Sequence, residues 1–246
     1  MPPLSQTSSP RLLSWGARAL YVGPSFALSA HRNAVAVLAV ALERPLRVAH
    51  DPRRPARSFT RCRTALIEPS QLHLLECEGT MAFLYLDARS TELDALRRRF
   101  TRTGRGVHFG LRGERRLIDV LRGNWSEEAL SAVLPLEGKP NGRMAEVIDL
   151  LLAAPAEPLR AADLAMRCGL SPSRFQHAFK EATGVAFRRF RTWARMRAVM
   201  QAVARGSNFT EAALDAGFSS SAHFSAAFRQ MFGVAPSRLL PLSGAR

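Results

Sequence analysis

Two rhythms of apolar residues divide the chain. From residue 20 to residue 86 hydrophobic side chains come in short runs: Leu20–Val22, Phe26–Ser29, Val35–Leu42, Leu46–Ala49, Phe59–Arg61, Ala65–Ile67, Leu72–Cys77 and Met81–Leu86. Gly-Pro, Arg-Pro, Asp-Pro and Glu-Pro pairs punctuate them, and runs of this length bounded by such breakers predict short β-strands. Many short strands at close spacing predict a sandwich or a barrel. From Thr91 the spacing becomes helical. Thr91–Phe100, Glu114–Leu121 and Ser126–Leu134 each read as a helix, the last with Ala129, Leu130, Val133 and Leu134 on its apolar face. Pro135–Gly142, PLEGKPNG, reads as a linker. Asn141 then caps a helix whose core stripe is Met144, Val147, Ile148, Leu151 and Leu152. The first 17 residues, rich in Pro and Ser, are expected to be loose.

The helical half contains a repeat. In Asp163–Gly184, DLAMRCGLSPSRFQHAFKEATG, a short apolar helix (Leu164, Ala165, Cys168) stops at Gly169, which can take the left-handed conformation that turns the chain. Ser171 caps a new helix and Pro172 suits its first position. Phe175, Ala178, Phe179 and Ala182 form the predicted buried stripe, leaving Ser173, Arg174, Gln176, His177 and Lys180 outward. Leu214–Gly233, LDAGFSSSAHFSAAFRQMFG, repeats the plan. Gly217 stands for Gly169, Phe224 and Phe228 for Phe175 and Phe179, Arg229 for Lys180, and Gly233-Val234 for Gly184-Val185. Asn208 and Glu211 form a capping-box pattern ahead of the second turn. Between the copies, residues 187–204 keep an unbroken helical pattern of Phe187, Phe190, Trp193, Ala194, Met200 and Val203, interspersed with Arg188, Arg189, Arg191, Arg195 and Arg197. Such a helix spans about 27 Å, against the ~34 Å between major-groove faces one DNA turn apart. One chain can thus present two reading helices to one face of a duplex.

Residues from about 141 to 240 resemble the DNA-binding domain of the AraC/XylS family of transcription regulators. LAMRCGLSPSRFQHAFKEATG, the long helix after it, and FTEAALDAGFSSSAHFSAAFRQMFGVAPSRL carry the resemblance. It implies an α+β protein. The N-terminal part would be a cupin-like β-barrel with covering helices, and the C-terminal part an all-α domain of two helix-turn-helix units joined by a long helix. The expected division is a loose segment 1–17, a cupin-like sensor or oligomerisation domain 18–134, a linker 135–142 and an AraC-type DNA-binding domain 143–240. In such regulators the helices ahead of the linker often pack into a dimer or against the barrel, so a homodimer is one expected partner.

Composition narrows the picture further. The balance of 35 Lys+Arg against 20 Asp+Glu points to a polyanionic partner. Both halves are basic, 21 against 13 in residues 1–140 and 14 against 7 in residues 141–246, so charge alone does not locate the site. All but Lys139 and Lys180 of that positive charge is Arg, which also fits a GC-rich coding bias. Three widely spaced cysteines, Cys62, Cys77 and Cys168, form neither a disulfide framework nor a zinc pattern. A reducing cytoplasm is the expected compartment. The start lacks a signal-peptide pattern, and the longest apolar run, Ala34–Leu42, is too short to span a bilayer, so no membrane partner is expected. A metal-binding cupin wants two histidines one residue apart; here His31-Arg32-Asn33 occupies that place without the second histidine. No metal, cofactor or catalytic residue is therefore expected. His50 and His73 could converge with His31, but single histidines in a strand-rich domain are more often structural than metal ligands; His31 and His73 remain candidates for an effector pocket, with Glu76 and Glu78 close to His73.

On the first reading helix Arg174 and Gln176 suit guanine and adenine edges, whereas Ser171, Ser173 and Lys180 suit phosphates and His177 suits either. Ser220, Ser221, His223, Ser225 and Arg229 are their counterparts on the second, where small residues predominate. The leading expectation is a sequence-specific regulator of promoter DNA, with a barrel that senses a small effector or mediates dimerisation. The alternatives are an architectural DNA binder and a metal-dependent cupin enzyme fused to a DNA-binding domain. No Ser/His/Asp arrangement and no phosphate-binding glycine loop supports an enzyme.

Overall fold

The computed structural model describes residues 10–16, 18–54, 58–86, 92–136 and 144–239. Among the described residues ten strands form two antiparallel sheets. The larger has seven, in the order β1 (Arg11–Trp15), β2 (Arg18–Pro24), β8 (Thr80–Tyr85), β3 (Val37–Ala41), β6 (Thr64–Ile67), β10 (Val107–Leu111), β9 (Phe100–Gly104). The smaller is β5 (Phe59–Cys62), β4 (Leu46–Ala49), β7 (Leu74–Glu76). The two are not hydrogen-bonded into a closed barrel. They share a core, because alternate residues of the large sheet (Val37, Ala39, Ala65, Ile67, Phe83) and Leu46, Val48 and Leu75 of the small one join a single apolar cluster.

Register explains why the central strand reads as a continuous apolar run. Val37, Ala39 and Ala41 lie opposite Tyr85, Phe83 and Met81, whereas Leu38 and Val40 lie opposite Leu84 and Ala82. The first set packs into the shared core and the second onto the outer face, so both faces of β3 are dry. The outer face is covered by three short helices, α1 (Glu92–Arg97), α2 (Glu114–Arg122) and α3 (Glu127–Ser131), through Leu93, Leu96, Leu117, Ile118, Leu121 and Leu130. Their role here is to cover the sheet. The outer cluster also holds Arg18, whose guanidinium pairs with the buried Glu92 carboxylate and donates to the Leu136 carbonyl at 2.5 Å. Ser126 caps α3 by accepting the Ala129 N–H at 3.2 Å.

Several expectations need correction. Residues 11–15 are not loose: RLLSW pairs along β2, and the resulting edge strand lies against the C-terminal helices. Phe26–Ser29 is not a strand, because its backbone leaves the sheet and Ser29 bonds instead to Gly233. The helix from Thr91 ends at Arg97, since Phe100 already belongs to β9. The β9–β10 pair was not anticipated, although Val107, Phe109 and Leu111 alternate as a strand requires. Most of the expected linker, with Asn141, lies outside the described residues.

The C-terminal part is all helical: α4 (Met144–Ala153), α5 (Ala161–Arg167), α6 (Pro172–Thr183), α7 (Phe187–Ala204), α8 (Phe209–Asp215), α9 (Ser221–Phe232) and α10 (Pro236–Leu239). Its phenylalanines pack edge to face or tilted around Phe175, Phe179, Phe187 and Phe190 in one half and Phe218, Phe224, Phe228 and Phe232 in the other. Among the described residues no helix is long and apolar enough to cross a membrane.

Candidate nucleic-acid interface and the cavity behind it

Each reading helix is built from local rules. Gly169 and Gly217 adopt φ of +65° and +86°, the left-handed backbone that ends α5 and α8 and swings the chain into the next helix. Ser171 Oγ then accepts the Arg174 N–H at 3.4 Å and Ser220 Oγ accepts the His223 N–H at 3.1 Å, so both second helices start on a serine cap. Pro172 sits at the first position of α6, where its missing N–H costs nothing. Asn208 Oδ1 caps α8 through the Glu211 N–H at 2.9 Å.

The structure places the sequence-derived residues as two outward faces. On α6, Ser173, Arg174, Gln176, His177 and Lys180 are exposed, and Phe175 and Phe179 are buried beneath them. Ala178 is half-buried and Ala182 is exposed; the last buried position of the stripe is Thr183, whose hydroxyl donates to the Phe179 carbonyl at 2.8 Å. On α9, Ser221, His223 and Arg229 are exposed and Ser225 is half-buried. His223 Nδ1 lies 3.0 Å from Ser219 Oγ and its ring meets Phe218 edge-on, which holds the imidazole at the start of the helix. The side chains of Arg174, Gln176, Lys180 and Arg229 make no hydrogen bond or ion pair among the described residues, so their polar ends are available to a ligand.

The arginines of α7 have a different job. Arg191 donates to the Glu157 carbonyl at 2.9 Å and Arg195 to the Pro155 carbonyl at 3.1 Å, tying the long helix to the turn between α4 and α5. Arg189 donates to the Arg32 carbonyl and Arg197 to the Gly16 carbonyl, and Gln201 Nε2 reaches Ser14 Oγ at 3.0 Å. These last three join the helical part to the sheets. Sequence reasoning marked the arginines only by their charge; nothing local signals such long-range partners.

The sheets also touch the C-terminal cap of each reading helix. The Cβ that an alanine would place at Gly184 lies 3.1 Å from the Pro69 ring; at Gly233 it would lie 2.5 Å from the Ser29 carbonyl and from His31 Nδ1. The Gly233 carbonyl accepts from Ser29 N at 2.8 Å and Ser29 Oγ at 3.0 Å. Tyr85 of β8 packs on Trp193 of α7 and Phe232 of α9, with ring centroids 5.3 and 5.4 Å apart.

At this junction lies an apolar cavity with Tyr21, Phe26, Phe83 and Tyr85 on the sheet side and Phe228 and Phe232 on the α9 side. It leaves about 20 Å³ for a water-sized molecule, room for roughly one or two waters. His31 and His73 line it together. Their backbones form an isolated antiparallel bridge and their rings lie 4.2 Å apart. Burial and the neighbouring Arg189 push the His31 imidazole down to about 4, against one backbone hydrogen bond that favours its charged form. Burial, His31 and Arg32 push His73 down to about 3. His50 does not join them, and Glu76 and Glu78 pair instead with Arg47 and Arg44 at the surface.

Residues 164–240 match the family model of a helix-turn-helix domain. This part of the chain is an AraC-type DNA-binding domain. No curated protein matches the chain in sequence. Among solved structures, an apo single-substitution form of ToxT from Vibrio cholerae shares 15% identity and covers 93% of this chain and 98% of its own, with a TM-score of 0.64. Wild-type ToxT from Vibrio cholerae, bound to an unsaturated fatty acid, shares 14% identity, covers 99% of this chain and 100% of its own, and has a TM-score of 0.61. At such identities the likeness is one of fold. It extends over the sheets and the AraC-type domain together.

Proposed function

We propose that this protein is a sequence-specific transcription regulator that reads promoter DNA with α6 and α9 and responds to a small apolar effector held where the sheets meet α9. The observation that carries the DNA half is the duplication itself: two capped helices of the AraC-type domain present unpartnered polar side chains outward over the same buried phenylalanine pair. Arg174 and Gln176 contact base edges, and Ser173, Lys180 and Arg229 contact phosphates. The small residues of α9 leave it mostly backbone contacts.

The effector half rests on the cavity. An occupant larger than one or two waters must displace lining side chains, and Phe228 and Phe232 among them belong to the second reading helix. Occupancy would therefore change the population of arrangements in which α6 and α9 fit the same duplex. That one solved relative by fold is bound to an unsaturated fatty acid supports an apolar occupant. A homodimer is compatible with this reading, but two reading helices per chain do not require it.

Selection from a random duplex library with the full-length protein, at near-physiological salt, tests the DNA half. Two half-sites about one turn apart, bound ~10³–10⁷ times more tightly than scrambled DNA, are expected. Enrichment of no sequence, together with a steep salt dependence, would instead support an architectural DNA binder.

A further inference from the structure

Several polar groups face the cavity. His31 Nδ1 lies 2.8 Å from the Ser29 carbonyl and His73 Nδ1 lies 3.0 Å from the Gln71 carbonyl. A carbonyl oxygen only accepts, so each Nδ1 carries the proton and each neutral ring keeps a lone pair on Nε2. Neither Nε2 has a hydrogen-bond partner among the described residues. Both rings are more than nine-tenths buried. Beside them the Asn33 side-chain oxygen is buried with no partner, and it too belongs to the cavity wall. The Tyr21 hydroxyl is already committed to the Pro24 carbonyl at 2.9 Å.

Among the described residues no Lys or Arg lines the cavity. The cations near the imidazoles are outside the cavity lining: Arg32 donates to the Ser70 carbonyl at 2.5 Å, and Arg189 of α7 donates to the Arg32 carbonyl while its Nε is buried without a partner among the described residues. A carboxylate would face the lone pairs of the imidazoles and of the Asn33 oxygen with no cation in the described cavity wall, and burying its charge there costs several-fold more than burying a satisfied hydroxyl. A hydroxyl donates to an imidazole nitrogen and can still accept from Asn33 or Tyr85.

Resting on the effector reading above, we propose that this cavity takes an apolar ligand ending in a neutral hydroxyl, an alcohol or phenol, which donates its hydrogen bond to Nε2 of His31 or His73. A carboxylic acid of the same shape enters only by bringing a proton with it. Its affinity then falls about tenfold per pH unit above its own pKa. Alcohol binding does not change over the same range, because the imidazoles are already neutral there.

Calorimetry of the full-length protein with 1-nonanol and with nonanoate, from pH 6 to pH 9, tests this. At pH 8 the alcohol is expected to bind on the order of tenfold or more tightly than the carboxylate, and nonanoate binding should take up one proton. Nonanoate binding as tightly as the alcohol at pH 8, without proton uptake, would overturn the head-group assignment and leave the effector cavity standing. Binding of neither would overturn both. His73→Phe keeps a ring in place but removes the acceptor, and should erase the preference; His31→Phe is the second variant, with DNA binding as the check that each is folded. A preference unchanged in both variants would also refute the assignment.

Discussion

The two helix-turn-helix units share a plan but not a setting. The first carries Arg174, Gln176 and Lys180 on its outward face, and at its C-terminal cap Gly184 approaches the Pro69 ring. The second carries mostly serine and alanine outward, while its inner face closes the cavity and its cap is hydrogen-bonded to Ser29. Duplication of one fold unit therefore allowed a division of labour. On the proposed reading the first unit would hold the side chains that discriminate bases, and the second the contacts through which the sheets could move a reading helix. Equal buried phenylalanines let both remain folded while their surfaces diverged.

Acid should separate the two attachments most strongly. His31 and His73 are held neutral in the fold, so below their ordinary value of 6.5 the unfolded chain binds protons that the folded one does not. Stability is thus expected to fall as pH drops from 6.5 towards 3 to 4, with the contact at the second unit loosening first. Glu68, next to Pro69, answers in a lower window. Burial alone would raise its carboxyl, but the bonds from Arg97 at 2.7 and 2.6 Å and from His108 at 2.9 Å hold it down at about 2. Its contribution is present above the ordinary 4.5 and is lost as pH falls from there to about 2. Amide hydrogen exchange at Gly233 and Gly184 across the pH range would read the two windows separately; parallel loss at both would contradict the comparison.

Core truncation comes next in size. Phe179→Ala and Phe228→Ala occupy equivalent positions and should each cost about 3–5 kcal/mol in thermal or denaturant unfolding. Only the second enlarges the existing cavity, so a small apolar additive should restore more of the stability of Phe228→Ala than of Phe179→Ala. Arg174→Ala is expected to lose ~1–3 kcal/mol of DNA affinity with relaxed preference at one base. Arg229→Ala should weaken all sequences evenly and shallow the salt dependence by about one unit. A base-specific loss at Arg229 would mean that the second unit also reads side chain to base. The smallest effect belongs to the caps: Ser171→Ala and Ser220→Ala should each cost about 1 kcal/mol of stability, since in both units a serine hydroxyl caps the N–H three residues on.

Much of this was legible in the residue pattern. Leu46–Ala49 and Ala65–Ile67 are strands because apolar β-formers stand between breakers, and the caps Ser171, Ser220 and Asn208 are where local hydrogen bonding requires them. Other features were not. Arg11–Trp15 is a strand because β2 offers it an edge, and Phe26–Ser29 is not one because Gly233, more than two hundred positions later, takes up the Ser29 backbone. The sequence showed His31 and His73 as separate histidines in a strand-rich region. Their meeting across an isolated bridge has no local signature, and the same holds for the arginines of α7, whose partners are distant carbonyls.

Periodicity, breakers and caps act over a few residues, so the sequence by itself determined the α+β order, the duplicated capped helices and the residues that face outward from them. The tertiary structure alone decided that two sheets stay open rather than closing a barrel, that the second reading helix forms one wall of a cavity, and that two neutral imidazoles look into it. Those outcomes depend on which distant surfaces exclude water together, and burial of that kind is a property of the assembled pair rather than of either stretch of chain.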